Sequence, residues 1–277
     1  MNGLEFYYLL DKDLDPAYAE LERKNILRSI LVDLANLRPP WVLHSPIPQD
    51  LLEICQLAVK RINDGEPLVY VTGWAPFRNM LLQVDSNVLI PRPETEELVS
   101  LMLRHLPSLP KGKGIDIGTG SGAIALCLAR EGLCDMDALD VSEDALAVTA
   151  RNAKMLGLTL ELIKLDILSD FPDSQYAFII SNPPYIPHGE KDFLDFSVRE
   201  YEPPLALFVP DADPLVFYRR IGSLAKEKLI PGGGLFVECH PTYAIRIWTL
   251  FKELGISEIH IEKDLCGKDR MIWGIKK

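Results

Sequence analysis

Ile115-Asp116-Ile117-Gly118-Thr119-Gly120-Ser121-Gly122 reads as a short buried strand that breaks into a glycine-rich turn and then enters a helix. Glycine has no Cβ, so the backbone can turn tightly there and approach a ligand closely. In open α/β sheets ligands gather at the carboxyl ends of strands, which makes this turn the expected floor of a small-molecule site. Three glycines in five residues are more than a plain strand-to-helix turn requires. The spacing is G-x-G-x-G, whereas a dinucleotide fingerprint wants G-x-G-x-x-G; its third position is Ala123 here, which weakens a nicotinamide reading.

Outward from that turn, strands and helices alternate. The pattern predicts strand 114–117, helix 122–131, strand 135–140, helix 143–156, strands 160–165 and 177–181, helix 214–229, strand 234–239, helix 241–254, and strands 257–262 and 271–276. Such alternation implies an α/β fold with a mostly parallel sheet covered by helices on both faces. The last two strands, joined by a short loop, form an antiparallel edge. Upstream, Pro91 to Glu97 opens a helix through about His105, with proline early and acids in the first turn. Residues 68–90 look extended, with turn material at Gly73 and Arg78-Asn79. Residues 16–37 and 49–63 carry apolar positions at helical spacing, and Pro39-Pro40 stops the first of these helices. The expected division is a helical domain at 1–67, a β-hairpin connector at 68–90 and the α/β domain at 91–277.

Composition narrows the class. The chain has 277 residues, 48% of them apolar, and a formal net charge of -11. Residues 1–85 alone carry 8 Lys/Arg against 12 Asp/Glu. Such a surface repels nucleic-acid phosphate and suits a basic protein partner. No apolar run approaches the ~18 residues of a membrane span, and the acidic start is unlike a secretory signal. The five cysteines form no CxxC pair and the five histidines are scattered. Reduced thiols in a cytoplasmic protein are expected, and no metal ligands are assigned.

Two acids and one tetrapeptide supply the candidate chemistry. Asp140 ends the second strand about 20 residues after Gly118, the spacing of a carboxylate that accepts bonds from both ribose hydroxyls; a helix-capping role is the alternative, although Ser142 can fill it. Asp166 ends the third strand and suits an adenine amino group, with Ile167 against the ring; a simple turn acid reads equally well. Asn182-Pro183-Pro184-Tyr185 then follows the apolar run Ala177-Phe178-Ile179-Ile180. Two prolines end the strand and remove two backbone donors. An amide, free carbonyls and an aromatic ring remain at its tip. That set can hold a planar amino group by its two hydrogens. The Asn182 side-chain oxygen and the Pro183 carbonyl would accept the two N–H bonds, aligning a weak nitrogen nucleophile with a methyl on the sulfonium of S-adenosylmethionine. Tyr185 would pack on the planar group. The bland alternative is a kinked prolyl turn.

The motifs together resemble the HemK/PrmC family, the protein-(glutamine-N5) methyltransferases that act on peptide-chain release factors. The resemblance runs from about Gly73 to Gly274. It rests on Gly73-x-x-x-Phe77, Leu89-Ile90-Pro91-Arg92-Pro93-Glu94-Thr95-Glu96, Asp116 to Gly122, Asp140-Val141-Ser142 and Ser181 to Ile186. Glu202-Pro203, Pro231-Gly232-Gly233 and Asp264-Leu265 with Gly267 to Arg270 complete it. It implies a Rossmann-like class I methyltransferase domain preceded by a small helical domain that grips the release factor. It implies S-adenosyl-L-methionine as cofactor, S-adenosyl-L-homocysteine as product, and the glutamine of a Gly-Gly-Gln loop as substrate. On this reading Asn182 and Pro183 are catalytic, and Asn182 to Tyr185 bind substrate. Gly118, Thr119, Gly120, Ser121, Gly122, Asp140, Asp166, Ile167 and Asn182 hold the cofactor. A cytoplasmic monomer with no metal, membrane or direct nucleic-acid partner is expected. Two departures stand out: Phe208-Val209-Pro210 where the family has a glycine pair, and Glu238-Cys239-His240 where it often reads Glu-Ile-Gly. Arg92 and Glu94 are either helix-start chemistry or the rim of the site, and Glu202-Pro203 reads as a structural loop. The competing function is a nucleic-acid amino methyltransferase of the N6-adenine type, which also uses Asn/Asp-Pro-Pro-Tyr on a flipped base.

Overall fold

The computed structural model describes residues 2–37, 46–132 and 135–277. The Pro39-Pro40 helix stop and Cys134 lie outside the described residues. The chain forms two compact units, one of residues 1–74 with 195–201, the other of residues 75–194 with 202–277.

The first unit is helical. Helix α1 (Gly3–Asp13) was not expected from the acidic start. Its signal is a capping box: the Asn2 Oδ1 accepts from the backbone N–H groups of Leu4 and Glu5, and Glu5 returns a carboxylate oxygen to the Asn2 N–H. Helix α2 (Glu20–Ser29) runs into a π-helical turn at Ile30–Leu34, so the helix expected over 16–37 is shorter and widens at its end. Helix α3 is Gln49–Asn63. The apolar faces of these helices meet in a core that includes Phe6, Leu10, Leu27, Ile30, Cys55 and Ile62. Residues 68–72, expected to be extended, form the short helix α4 (Leu68–Thr72). Its valines favour a strand locally, but Tyr70, Val71 and Thr72 are buried and Gly73 closes the turn at φ 79°. Tertiary burial overrides propensity here.

The expected hairpin follows, as β1 (Trp74–Phe77) and β2 (Met80–Gln83). Then come α5 (Pro93–His105), β3 (Gly114–Ile117), α6 (Ala123–Arg130), β4 (Met136–Asp140), α7 (Glu143–Leu156), β5 (Glu161–Lys164) and β6 (Tyr176–Ser181). A segment with no prior assignment supplies β7 (Ile186–Pro187), α8 (Phe196–Tyr201), α9 (Pro204–Leu207) and β8 (Phe208–Val209). Helix α8 belongs to the helical unit. The chain ends with α10 (Val216–Lys228), β9 (Leu229–Glu238), α11 (Ala244–Glu253), β10 (Ile256–Lys263) and β11 (Asp269–Lys276).

Seven strands form one sheet in the order β10-β11-β9-β6-β3-β4-β5. Strands β5, β4, β3, β6 and β9 run parallel, while β11 and β10 pair antiparallel at one edge. This is the Rossmann-like arrangement expected of a class I methyltransferase domain. Strand β9 starts earlier than the expected 234–239, because Tyr176 pairs with Leu229 and Phe178 with Gly234 across a register shift that absorbs the intervening turn residues. Side chains alternate across the sheet. Ile115, Ile117, Ile179, Leu235 and Val237 pack with Ile221 and Leu224 of α10 and Ile247 and Phe251 of α11. Phe178, Ile180 and Phe236 pack on the other face with Leu98 and Met102 of α5 and Ile124 and Leu128 of α6. Each such side chain taken fully from water contributes about 1.5–3 kcal/mol. The chain order reverses at β3, with β4 on one side and β6 on the other, and that switch point opens a crevice at the carboxyl ends of the strands. Among the described residues, no helix is long and apolar enough to cross a membrane.

Candidate active site

The glycine-rich turn forms the floor of the crevice. Gly118 and Thr119 donate their N–H groups to the Leu139 carbonyl, which ties the turn to β4. Gly118, Gly120 and Gly122 all have positive φ, at 74°, 56° and 81°. A Cβ on Gly118 or Gly120 would meet nothing within 4 Å, whereas one on Gly122 would strike Leu126 Cδ1 at 2.8 Å and Thr149 Cγ2 at 2.9 Å. The first two glycines therefore leave space, and the third permits close packing beneath α6. Under the turn lies Asp116, fully buried. Its Oδ2 accepts from Thr119 Oγ1 at 2.8 Å and from the Ala125 N–H at 3.2 Å, while Oδ1 has no protein partner. Burial pushes this carboxyl up to about 7. The sequence signal for a buried acid here is its pleat position between Ile115 and Ile117 in a strand that is buried throughout.

A cavity of about 360 Å³ sits above the turn, within the range of small-ligand sites. Gly118, Thr119, Gly120, Ser121, Asp140, Asp166, Ile167, Asn182, Pro183 and Pro184 all line it. Gly122 and Tyr185 are not among its lining residues. Asp140 takes one backbone N–H on each carboxylate oxygen, from Gly120 at 2.9 Å and from Ser142 at 2.9 Å. Burial raises its pKa and those bonds oppose the rise. Each oxygen keeps a lone pair for a further donor. Ser142 caps α7 by accepting from the Ala145 N–H, so Asp140 is not needed as the cap. Asp166 Oδ1 accepts from the Leu168 N–H at 2.9 Å; it shapes its turn and lines the cavity at once. Ile167 is nearly buried beside it.

At the β6 tip, the Asn182 side chain is held by a relay that no local sequence pattern announced. Its Nδ2 donates to Thr95 Oγ1 at 3.1 Å. Thr95 Oγ1 donates in turn to Glu238 Oε2 at 2.7 Å, and the Tyr185 hydroxyl donates to Glu238 Oε1 at 3.3 Å. Thr95 lines the cavity from α5. Glu238, at the end of β9, is 1% exposed, and burial pushes its carboxyl up to about 7. Tyr185 thus turns its hydroxyl to Glu238, and burial pushes that phenol's pKa well above its ordinary value. Arg92 also lines the cavity and bonds Glu202 at 2.5 Å. Glu202 is buried and accepts from the Ile90 N–H as well, so the segment read as a structural loop anchors the start of α5.

Both sequence departures have structural partners. Phe208 and Val209 form β8, which pairs in parallel with Ile186 and Pro187 immediately after the prolyl tip. The Phe208 ring stacks on His188 with centroids 5.4 Å apart. His240 lies 6.0 Å from Tyr185, ring to ring, and its Nδ1 accepts from the Thr242 N–H. Cys55, Cys127 and Cys239 are buried free thiols, and Cys266 is exposed. Among the described residues, no His, Cys, Asp and Glu side chains group as metal ligands.

Known proteins place this geometry in a family. The methyltransferase small domain profile matches residues 96–196. A curated release factor glutamine methyltransferase of Lactococcus lactis is 38% identical over 98% of this chain and 99% of its own length. Another, from Bacteroides thetaiotaomicron, is 40% identical over 76% of this chain and 77% of its own. Among solved structures, the 16S rRNA N2 G1207 methyltransferase of Thermus thermophilus, in complex with AdoMet and guanosine, superposes with a TM-score of 0.53 at 17% identity. It covers 74% of this chain and 50% of that one, which is a likeness of fold.

Proposed function

The chain belongs to the release factor glutamine methyltransferase family, and from that premise we propose that it transfers a methyl group from S-adenosylmethionine to the side-chain amide nitrogen of the Gly-Gly-Gln glutamine in a peptide-chain release factor. The observation that carries the reading is the 38% identity to such an enzyme across 98% of the chain. The cavity fits the cofactor: the open Cβ positions at Gly118 and Gly120 leave backbone available to a ligand, and Asp140 presents carboxylate lone pairs at the cavity wall. When bound, S-adenosylmethionine supplies a methyl already activated on a positive sulfur. Asp140 would hold the ribose hydroxyls, Asp166 and Ile167 would hold the adenine, and the 118–121 backbone, which lines the same cavity, would border the cofactor. Asn182 Oδ1 and the Pro183 carbonyl accept the two amide hydrogens of the glutamine, and Pro184 borders them. These acceptors gain strength as positive charge develops on nitrogen, so they favour the transition state over the ground state. Tyr185 supports the tip from behind through Glu238 rather than by touching substrate.

The expected bounds of 1–67, 68–90 and 91–277 give way to the two compact units: the helical unit, residues 1–74 with 195–201, is proposed as the body that engages the release factor, and residues 75–194 with 202–277 as the catalytic domain, in a cytoplasmic monomer. The formal charge of -11 suits a basic protein surface and disfavours the nucleic-acid alternative. Incubation with labelled S-adenosylmethionine and a release factor, followed by peptide mass mapping, tests the reading. One methyl is expected on the Gly-Gly-Gln glutamine; an unmodified peptide after full incubation refutes it.

A further inference from the structure

Asn182 is useful to an amide substrate only one way round. A carboxamide has a donor end and an acceptor end of nearly the same shape, and rotation by half a turn exchanges them. With oxygen toward the cavity it accepts a substrate N–H. With nitrogen toward the cavity it presents two N–H groups to a nitrogen that itself carries two. The β6 backbone sets where this side chain sits but not which end faces the cavity.

We propose that Thr95 and Glu238 are positioning residues that fix the orientation of the Asn182 carboxamide, turning its oxygen toward the substrate nitrogen; this rests on Asn182 holding that nitrogen. The argument is a proton count. The Thr95 hydroxyl has one proton, and Glu238 Oε2 takes it at 2.7 Å. Thr95 can then only accept from Asn182, so the amide nitrogen must face Thr95, as it does at 3.1 Å. The opposite rotamer would set a carbonyl oxygen against a hydroxyl oxygen with no proton between them. Thr95 and Glu238 are 5% and 1% exposed, so little water is at hand to relieve that clash, and an unpaired buried polar group is costly. With Glu238 ionised, both of its oxygens accept, Oε2 from Thr95 and Oε1 from Tyr185. Arg270 and Glu94 act on Glu238 with opposite signs; Tyr218 anchors its backbone carbonyl, and Thr95 and Tyr185 bond the carboxylate itself.

The test compares Thr95→Val, Thr95→Ser and Asn182→Ala in the full chain, measuring methylation of a release factor and calorimetric binding of S-adenosylhomocysteine. Asn182→Ala is expected to lower kcat at least about a hundredfold. Thr95→Val is expected to lower kcat about 10- to 100-fold, with KM for the release factor and the S-adenosylhomocysteine Kd within about twofold of wild type. Thr95→Ser restores the hydroxyl and is expected within about threefold of the wild-type rate. Wild-type turnover by Thr95→Val, or equal impairment by Thr95→Ser, overturns the relay while leaving the Asn182 role standing. Wild-type turnover by Asn182→Ala overturns the underlying reading itself. Should Thr95→Val fail to bind S-adenosylhomocysteine, Glu238→Met carries the same kcat prediction from the far end of the relay, and an unimpaired rate there counts equally against it.

Discussion

Alanine at Gly118 and at Gly122 should do different damage, although the two glycines are four residues apart in one turn. Both have positive φ, so either substitution costs about 1–2 kcal/mol from the left-handed backbone alone. At Gly118 the new methyl meets nothing within 4 Å, so no packing cost is added. At Gly122 it must displace Leu126 and Thr149 from 2.8 and 2.9 Å, a shift of several tenths of an ångström in a packed region, costing about 1–3 kcal/mol more. Moving Thr149 also strains its hydroxyl bond to the Gly120 carbonyl. Gly122→Ala should therefore unfold about 1–3 kcal/mol more easily than Gly118→Ala. Binding should invert the order. Gly118 lines the cavity, and its methyl stands where a cofactor would lie, so the S-adenosylhomocysteine Kd should rise at least about tenfold, or about 1.4 kcal/mol. Gly122→Ala should bind within about threefold of wild type. Urea denaturation and calorimetry on the same samples read both. Equal destabilisation by the two variants, or wild-type binding by Gly118→Ala, would refute this division of labour.

Asp140→Ala should weaken S-adenosylhomocysteine at least about tenfold by removing two charge-assisted bonds to ribose, while kcat at saturating S-adenosylmethionine changes less; an unmoved Kd would strike Asp140 from the ribose site. Glu238 gives stability a pH slope. Its folded-state pKa of about 7 lies above its ordinary 4.5, so between those values the folded chain holds a proton that the unfolded chain has released. Its contribution is fully present below about 4.5 and is lost as pH rises toward 7, by about 3 kcal/mol in total. Urea titrations at pH 5 and pH 8 should show wild type losing most of that, about 2–3 kcal/mol, relative to Glu238→Gln, and parallel profiles would mean that the carboxyl does not titrate there.

The fold of the larger unit was legible because its signals are local. Alternating apolar runs placed β3 to β6 and α6, α7, α10 and α11 within a few residues, and the interval from Gly118 to Asp140 foretold a carboxylate beside the turn. The sequence-readable parts of the site are those that follow a strand end directly. What escaped depends on contacts between distant residues. Thr95 and Glu238 are 143 positions apart, and Arg92 and Glu202 are 110 apart; nothing in either neighbourhood announces the other. Helix α4 departs from its local pattern because burial outweighs the strand preference of its valines. The start of helix α1 rests on a capping box of two residues, Asn2 and Glu5, a signal of spacing within a segment whose composition is acidic. The 186–209 stretch holds elements of two to six residues, too short for periodicity to register.

Helix α8 has a practical consequence for anyone who would divide this protein. The segment 195–201 folds with the helical unit though it is encoded deep within the larger one; Tyr201 donates to the Asp64 carbonyl, and the Phe196 ring lies against Gly65. A deletion that removes residues 1–74 would strand this stretch without its packing partners and leave an aromatic side chain bare on the remaining fragment. Conversely, the amino-terminal piece expressed by itself would lack one of its own helices. A clean separation needs an excision of 195–201 and a short splice from 194 to 202, not a single cut.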